Sequence, residues 1–155
     1  MPSVTETPSH VTTTEIISVR DYDAPRELVF QAWSDPGHLQ HWWGPQGFRS
    51  TFHEFDFRAG GHWRFVLHGP DGTNYDNHII FVEIDPPARI VLDHISAPKL
   101  RATATFEALG PRKTRLTFRG DFLTPETLDA VKGFAFEGNR QTLVRLGEEL
   151  ARMAG

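Results

Sequence analysis

The sequence predicts an α+β fold in which a curved antiparallel sheet of about seven strands wraps around one long C-terminal helix, with two short helices after the first strand. Three observations predict it. Pro125 to Met153 is the only long segment whose apolar residues keep a helical period from end to end: Leu128, Val131, Ala135, Gly138, Thr142, Leu146, Leu150 and Met153 follow at steps of three or four. From Phe52 to Leu123 the chain reads instead as alternating or β-branched runs separated by Gly, Pro and Asp. The links between those runs are too short for crossover helices, which leaves antiparallel pairing.

Residues 1–12 carry Pro2, Pro8 and many hydroxyl side chains with little apolar content, and read as a loose tail. Residues 13–155 then form a single domain. Thr13 to Tyr22 is rich in β-branched residues and gives the first strand. Asp23-Ala24-Pro25 opens a helix that runs to Ser34, and Asp35-Pro36-Gly37 ends it. A second short helix, His38 to Trp43, stops at Gly44-Pro45-Gln46-Gly47. Strands follow at Phe52–Phe57, Trp63–His68, Tyr75–Ile84, Arg89–Ile95, Leu100–Leu109 and Thr114–Phe122, with Gly60-Gly61, Gly69-Pro70-Asp71-Gly72, Pro86-Pro87 and Gly110-Pro111 as turns. Trp63 and Phe65 form the better inward pair, which puts Arg64 outside. Arg115, Thr117 and Arg119 read as a solvated face. In the Leu100–Leu109 strand one face bears Ala102, Ala104 and Phe106, mostly short residues that leave volume beside the helix. At the last helix Thr124 caps the start, Pro125 suits the first position, and Glu126 and Asp129 meet the positive end of the dipole.

Composition narrows the function classes. With no cysteine, disulfides, thiolate metal sites and cysteine nucleophiles are excluded. No apolar run approaches ~18 residues and the first thirty residues form no signal peptide, so a cytoplasmic protein without membrane insertion is expected. A formal charge of −4 with scattered Lys and Arg argues against nucleic acid as a partner and leaves small molecules and proteins. A monomer or a homodimer fits equally well.

The stretch Ala24 to Phe48, APRELVFQAWSDPGHLQHWWGPQGF, resembles the activators of heat-shock-protein-90 ATPase homologues, within the helix-grip superfamily of START lipid-transfer domains, polyketide cyclases and the birch-pollen allergen. The likeness continues through GGHWRF at Gly60 to Phe65, GPDG at Gly69 to Gly72, EIDPPARIV at Glu83 to Val91 and EGNRQTLVRLGEEL at Glu137 to Leu150. It implies a helix-grip fold with a largely apolar cavity between the sheet and the long helix, roofed by the short helices. Many relatives carry Trp at the position of Asn139, where this chain would gain space and an amide.

Candidate ligand contacts follow from that frame. Trp42, Trp43 and Phe48 offer a stacking surface near the roof, at least one Trp serving instead to pin the short helix. Trp63, Phe65, Phe81, Ala104, Phe106 and Phe136 supply apolar lining. Tyr75 and Asn77 share a strand face with Ile79 and Phe81, and His94 shares one with Ile90 and Leu92, so each can orient a ligand by a hydrogen bond; Asn139 adds an amide from the helix. His38 and His41 would need a third ligand such as His53 to hold a metal. No spacing supplies it, so both read as solvated and no metal is expected. Phosphate-binding loops, dinucleotide fingerprints and nucleophile elbows are missing, so no cofactor is expected. The favoured function is binding of a small hydrophobic or aromatic molecule without covalent chemistry. The alternatives are a chaperone-partner or stress-related domain that activates an ATPase, as the resemblance implies, and a cyclase- or dehydratase-like enzyme using His94 and Tyr75 for proton transfer.

Overall fold

A computed structural model describes residues 9–154. Of the expected tail, residues 1–8 lie outside the described residues, and His10–Val11 forms a short strand, β1, paired with Ile16 and Ile17. Strand β2 (Glu15–Tyr22) leads into helices α1 (Arg26–Ser34) and α2 (Pro36–Trp42); then come β3 (Arg49–Phe55), β4 (His62–His68), β5 (Asn74–Asp85), β6 (Arg89–His94), β7 (Leu100–Gly110) and β8 (Lys113–Asp121), and α3 (Pro125–Ala154) closes the chain. The strands form one antiparallel sheet in the order β1-β2-β8-β7-β6-β5-β4-β3, so β1 makes eight strands where about seven were expected. This is the α+β helix-grip architecture. Register shifts at Phe52/Glu54, Phe81/Glu83 and Ala108/Gly110 bend the strands.

Local chemistry explains the boundaries. Thr124 Oγ1 accepts from the Thr127 amide at 3.2 Å, the cap its position predicts. Asp35 does more than end α1. Its amide donates to the Gln31 carbonyl while its side chain accepts from the Gly37 amide at 2.9 Å, so α2 begins at Pro36 and not at His38. At the Gly60-Gly61 turn Gly60 has φ of +84°, and a Cβ on Gly61 would overlap the Asp56 carbonyl, so both glycines are required.

The core sits under α1 and α2 at one end of the sheet. Phe30 of α1 meets Phe106 edge-on at 5.4 Å, and Trp33 touches Trp42, Trp43, Phe106 and Phe118. Trp63 and Phe65 face inward and Arg64 outward, its Nε donating to Glu54 at 2.9 Å. Arg115 and Arg119 lie on the outer face beside Asp21 and Glu15. Helix α3 is about 45 Å long at 1.5 Å per residue. It packs against β2, α1 and α2. Its fully buried positions after Leu128 are Thr142, Leu143, Leu146, Glu149 and Leu150; Val131, Ala135, Gly138 and Asn139 are only half-buried. The N-terminal half of the helix therefore stands off the sheet.

Candidate ligand-binding site

That standoff opens a cleft of about 400 Å³ between α3 and strands β5 to β8. Its floor is Ile79, Leu92, Ala102, Phe118 and Gly120, and its roof is Val131, Phe134, Ala135 and Asn139, with Trp43 and Leu67 at one side. Strand parity places the floor residues inward, and two of them, Ala102 and Gly120, have little or no side chain. A second chamber of about 240 Å³ continues toward Gly44, Pro45, Phe65, Asn77 and Gly138, sharing Trp43, His94, Phe118 and Asn139 with the first. Phe134 and Tyr75 are 68% and 48% exposed, an apolar rim at the mouth.

The polar groups in the cleft are few. Asn77 Nδ2 donates to the Tyr75 carbonyl at 2.9 Å, which turns its Oδ1 toward His94 Nε2 at 2.7 Å. On the other side His94 Nδ1 lies 2.8 Å from the Ser96 carbonyl and 3.0 Å from that of Pro98. Both ring nitrogens are engaged by the protein. Burial holds the His94 pKa below the ordinary imidazole value, outweighing the two carbonyls, which favour the protonated ring. A neutral ring has one N–H: carried on Nδ1 it donates to the Ser96 and Pro98 carbonyls, and Nε2 then accepts from Asn77 once that amide turns to present Nδ2. The Asn139 side chain, by contrast, makes no hydrogen bond among the described residues and lines both chambers.

The roof segment from His38 to Gln46 is fastened to α3 by residues four apart on one face. The Gln46 amide donates to Gln141 Oε1 at 3.1 Å. Arg145 donates to the carbonyls of Gly44, Pro45 and His41 at 2.7, 3.0 and 2.9 Å. Glu149, with a side chain only 3% exposed, meets His38 Nδ1 at 2.7 Å and receives Arg152 Nε and Nη2 at 2.9 and 2.7 Å. Burial pushes the Glu149 pKa up, but the bonds from His38, Arg152 and His41 together leave it below the usual value. Of the two histidines expected to be solvated, His38 is a close partner of this buried carboxylate, whereas His41 stays exposed and reaches it only at 3.4 Å. Among the described residues no group of three or more His, Asp or Glu is arranged to hold a metal.

The description Activator of Hsp90 ATPase homolog 1-like protein matches residues 23–151. The chain belongs to this family. Among solved structures it is similar to a protein of Arthrobacter aurescens, with 25% identity, a TM-score of 0.86 and coverage of 97% of this chain and 93% of that one. A protein of Nitrosomonas europaea shares the fold at 21% identity and a TM-score of 0.82, covering 95% and 99% of the two chains. An AHSA1 protein of Silicibacter pomeroyi does so at 21% identity and 0.73, covering 90% and 99%. None of the curated proteins matches the chain.

Within this AHSA1-like chain the residues singled out from the sequence separate into two groups. The cleft brings together Trp43, Phe65, Tyr75, Asn77, His94 and Asn139. Trp42 does not line it: fully buried, it donates from Nε1 to the Ala32 carbonyl at 3.0 Å and pins α2. Trp63, Phe81, Ala104 and Phe106 are core residues as well, because α1 and the β3–β4 aromatics occupy the space that was expected to stay open beside Phe106. Phe48 packs outside the cleft at 6.3 Å from Tyr75. Phe136 does not line the cleft and packs against the cluster of Ile16, Phe122 and Leu128. Sequence reasoning missed Phe118, Gly120 and Phe134. The β8 alternation of Leu116, Phe118 and Gly120 carried a signal for the first two; Phe134 lies off the apolar stripe of α3 and carried none.

Proposed function

We propose that this AHSA1-like protein binds a small apolar molecule in the cleft between β5–β8 and the N-terminal half of α3, without covalent chemistry. The observation that carries the reading is a cleft of about 400 Å³ with an almost wholly apolar lining, a volume in the range of small-molecule sites. The engagement of both His94 nitrogens by protein groups favours binding over proton transfer. A thermal-shift screen of lipids and aromatic compounds tests it: a ligand at ~100 times its dissociation constant adds about 2.7 kcal/mol, and Asn139→Trp should abolish the shift. A screen with no saturable shift, or shifts indifferent to Asn139→Trp, would count against the site. A second reading, regulation of a chaperone ATPase, draws support from the family description and from the exposed Phe134 and Tyr75 rim. It requires direct stimulation of the chaperone's ATP hydrolysis that is lost in Phe134→Ser.

A further inference from the structure

Taking as its basis the reading that the cleft holds a small apolar molecule, we propose that this molecule is uncharged and carries one neutral hydrogen-bonding group, which the Asn139 side-chain amide meets. Among the described residues no Asp, Glu, Lys or Arg lines either chamber. Arg145 spends Nη1 and Nη2 on the backbone carbonyls of His41, Gly44 and Pro45. Arg101 is held by both oxygens of Asp93, at 2.7 and 3.0 Å, and Lys99 lines an adjoining groove that meets the cleft at His94 and Leu100, without lining the cleft itself. Burial holds the His94 pKa below the ordinary imidazole value, which disfavours a cationic ring, and both ring nitrogens face protein groups. A carboxylate or ammonium entering this cleft would leave water for a site without a counter-charge, which is strongly unfavourable.

Asn139 sits at the junction of the two chambers with an amide that can donate two hydrogen bonds and accept two, and no protein group takes any of them. A carbonyl, hydroxyl or secondary amine on an otherwise apolar ligand satisfies it, and the amide's dual character suits a neutral partner of either polarity. Fatty-acid anions and acyl phosphates are thereby disfavoured, and neutral alcohols, ketones, amides and aromatic amines favoured.

The test uses two fluorescent probes with one skeleton: N-phenylnaphthylamine, which is neutral, and its sulfonated counterpart anilinonaphthalene sulfonate. Titrated into the whole protein, the neutral probe should saturate, and the sulfonate should bind at least about tenfold more weakly. Equal or tighter binding of the sulfonate overturns the inference while leaving the cleft as a ligand site. Saturable binding of neither probe, or binding indifferent to Asn139→Trp, removes the cleft reading itself. For the amide, displacement of the neutral probe by naphthol and by naphthalene is compared in wild type and Asn139→Leu. Loss of the amide should weaken naphthol about two- to tenfold and leave naphthalene unchanged or tighter. An equal effect on both compounds overturns the role of Asn139. Asn139→Ala carries the same expectation if the Leu variant melts early.

Discussion

Between Thr142 and Leu150, α3 buries Thr142, Leu143, Leu146, Glu149 and Leu150, whereas from Val131 to Asn139 the same helix buries no residue fully and roofs a cleft. The apolar period is continuous through both halves, so periodicity does not separate them. What separates them is the neighbours. The C-terminal half packs with α1, α2 and β2, and Trp42, Leu39 and Val29 close the interior there. The N-terminal half faces the sheet and the Trp43–Pro45 segment, and the sheet floor at Ala102 and Gly120 is too shallow to reach it. A helical stripe shows which face turns inward; the length of the side chains opposite decides whether that face is filled.

The largest expected effect tests the packed half. Leu146→Ala removes a fully buried side chain and should cost about 2–5 kcal/mol in chemical denaturation. Val131→Ala in the open half should cost under about 1 kcal/mol, because the half-buried Val131 side chain already borders the cleft. Comparable losses from the two substitutions would erase the contrast.

Next is Glu149→Gln, expected to cost about 1–3 kcal/mol near neutral pH by weakening the bonds from His38 and Arg152 to a buried carboxylate. Because the folded pKa of Glu149 lies below its ordinary value of 4.5, its contribution is present above that value and is lost as pH falls through the folded pKa. The gap in stability between wild type and variant should therefore narrow in acid, as followed by denaturation from pH 7 to pH 3. A gap that stays constant with pH would show that the carboxylate charge is not what holds α2.

Asn139→Trp should change stability by less than about 1 kcal/mol, since the added ring enters open volume; in a filled interior the same change would cost on the order of 1–3 kcal/mol. The smallest effect is a gain. Gly133→Ala adds a Cβ that meets nothing within 4 Å, so it should raise stability by up to ~1 kcal/mol through helix propensity, read as a higher melting temperature.

Much of the fold was legible because it rests on local patterns. Strand alternation placed Trp63 and Phe65 inside and Arg64 outside, and Thr124-Pro125 marked the start of α3. The site was legible only in part. Whether the space beside Phe106 is open depends on where Phe30 of α1 lands, and whether Trp42 or Trp43 borders the cleft depends on the rotation of α2; neither is written into a strand period. Glu149 was unreadable for a related reason. A glutamate among charged neighbours near a helix end reads as solvated, and its partners His38 and His41 are 111 and 108 residues away.

Arg145 grips the segment before β3 by the oxygens of His41, Gly44 and Pro45, and Gln141 takes the amide of Gln46, so that segment is recognised through its main chain. Main-chain recognition is blind to side-chain identity. The fastening therefore places little constraint on which side chain stands at Pro45, whose ring borders the smaller chamber and comes within 3.4 Å of where a Cβ on Gly138 would sit. A substitution at Pro45 therefore changes the size of the smaller chamber while keeping the main-chain bonds that hold the segment down.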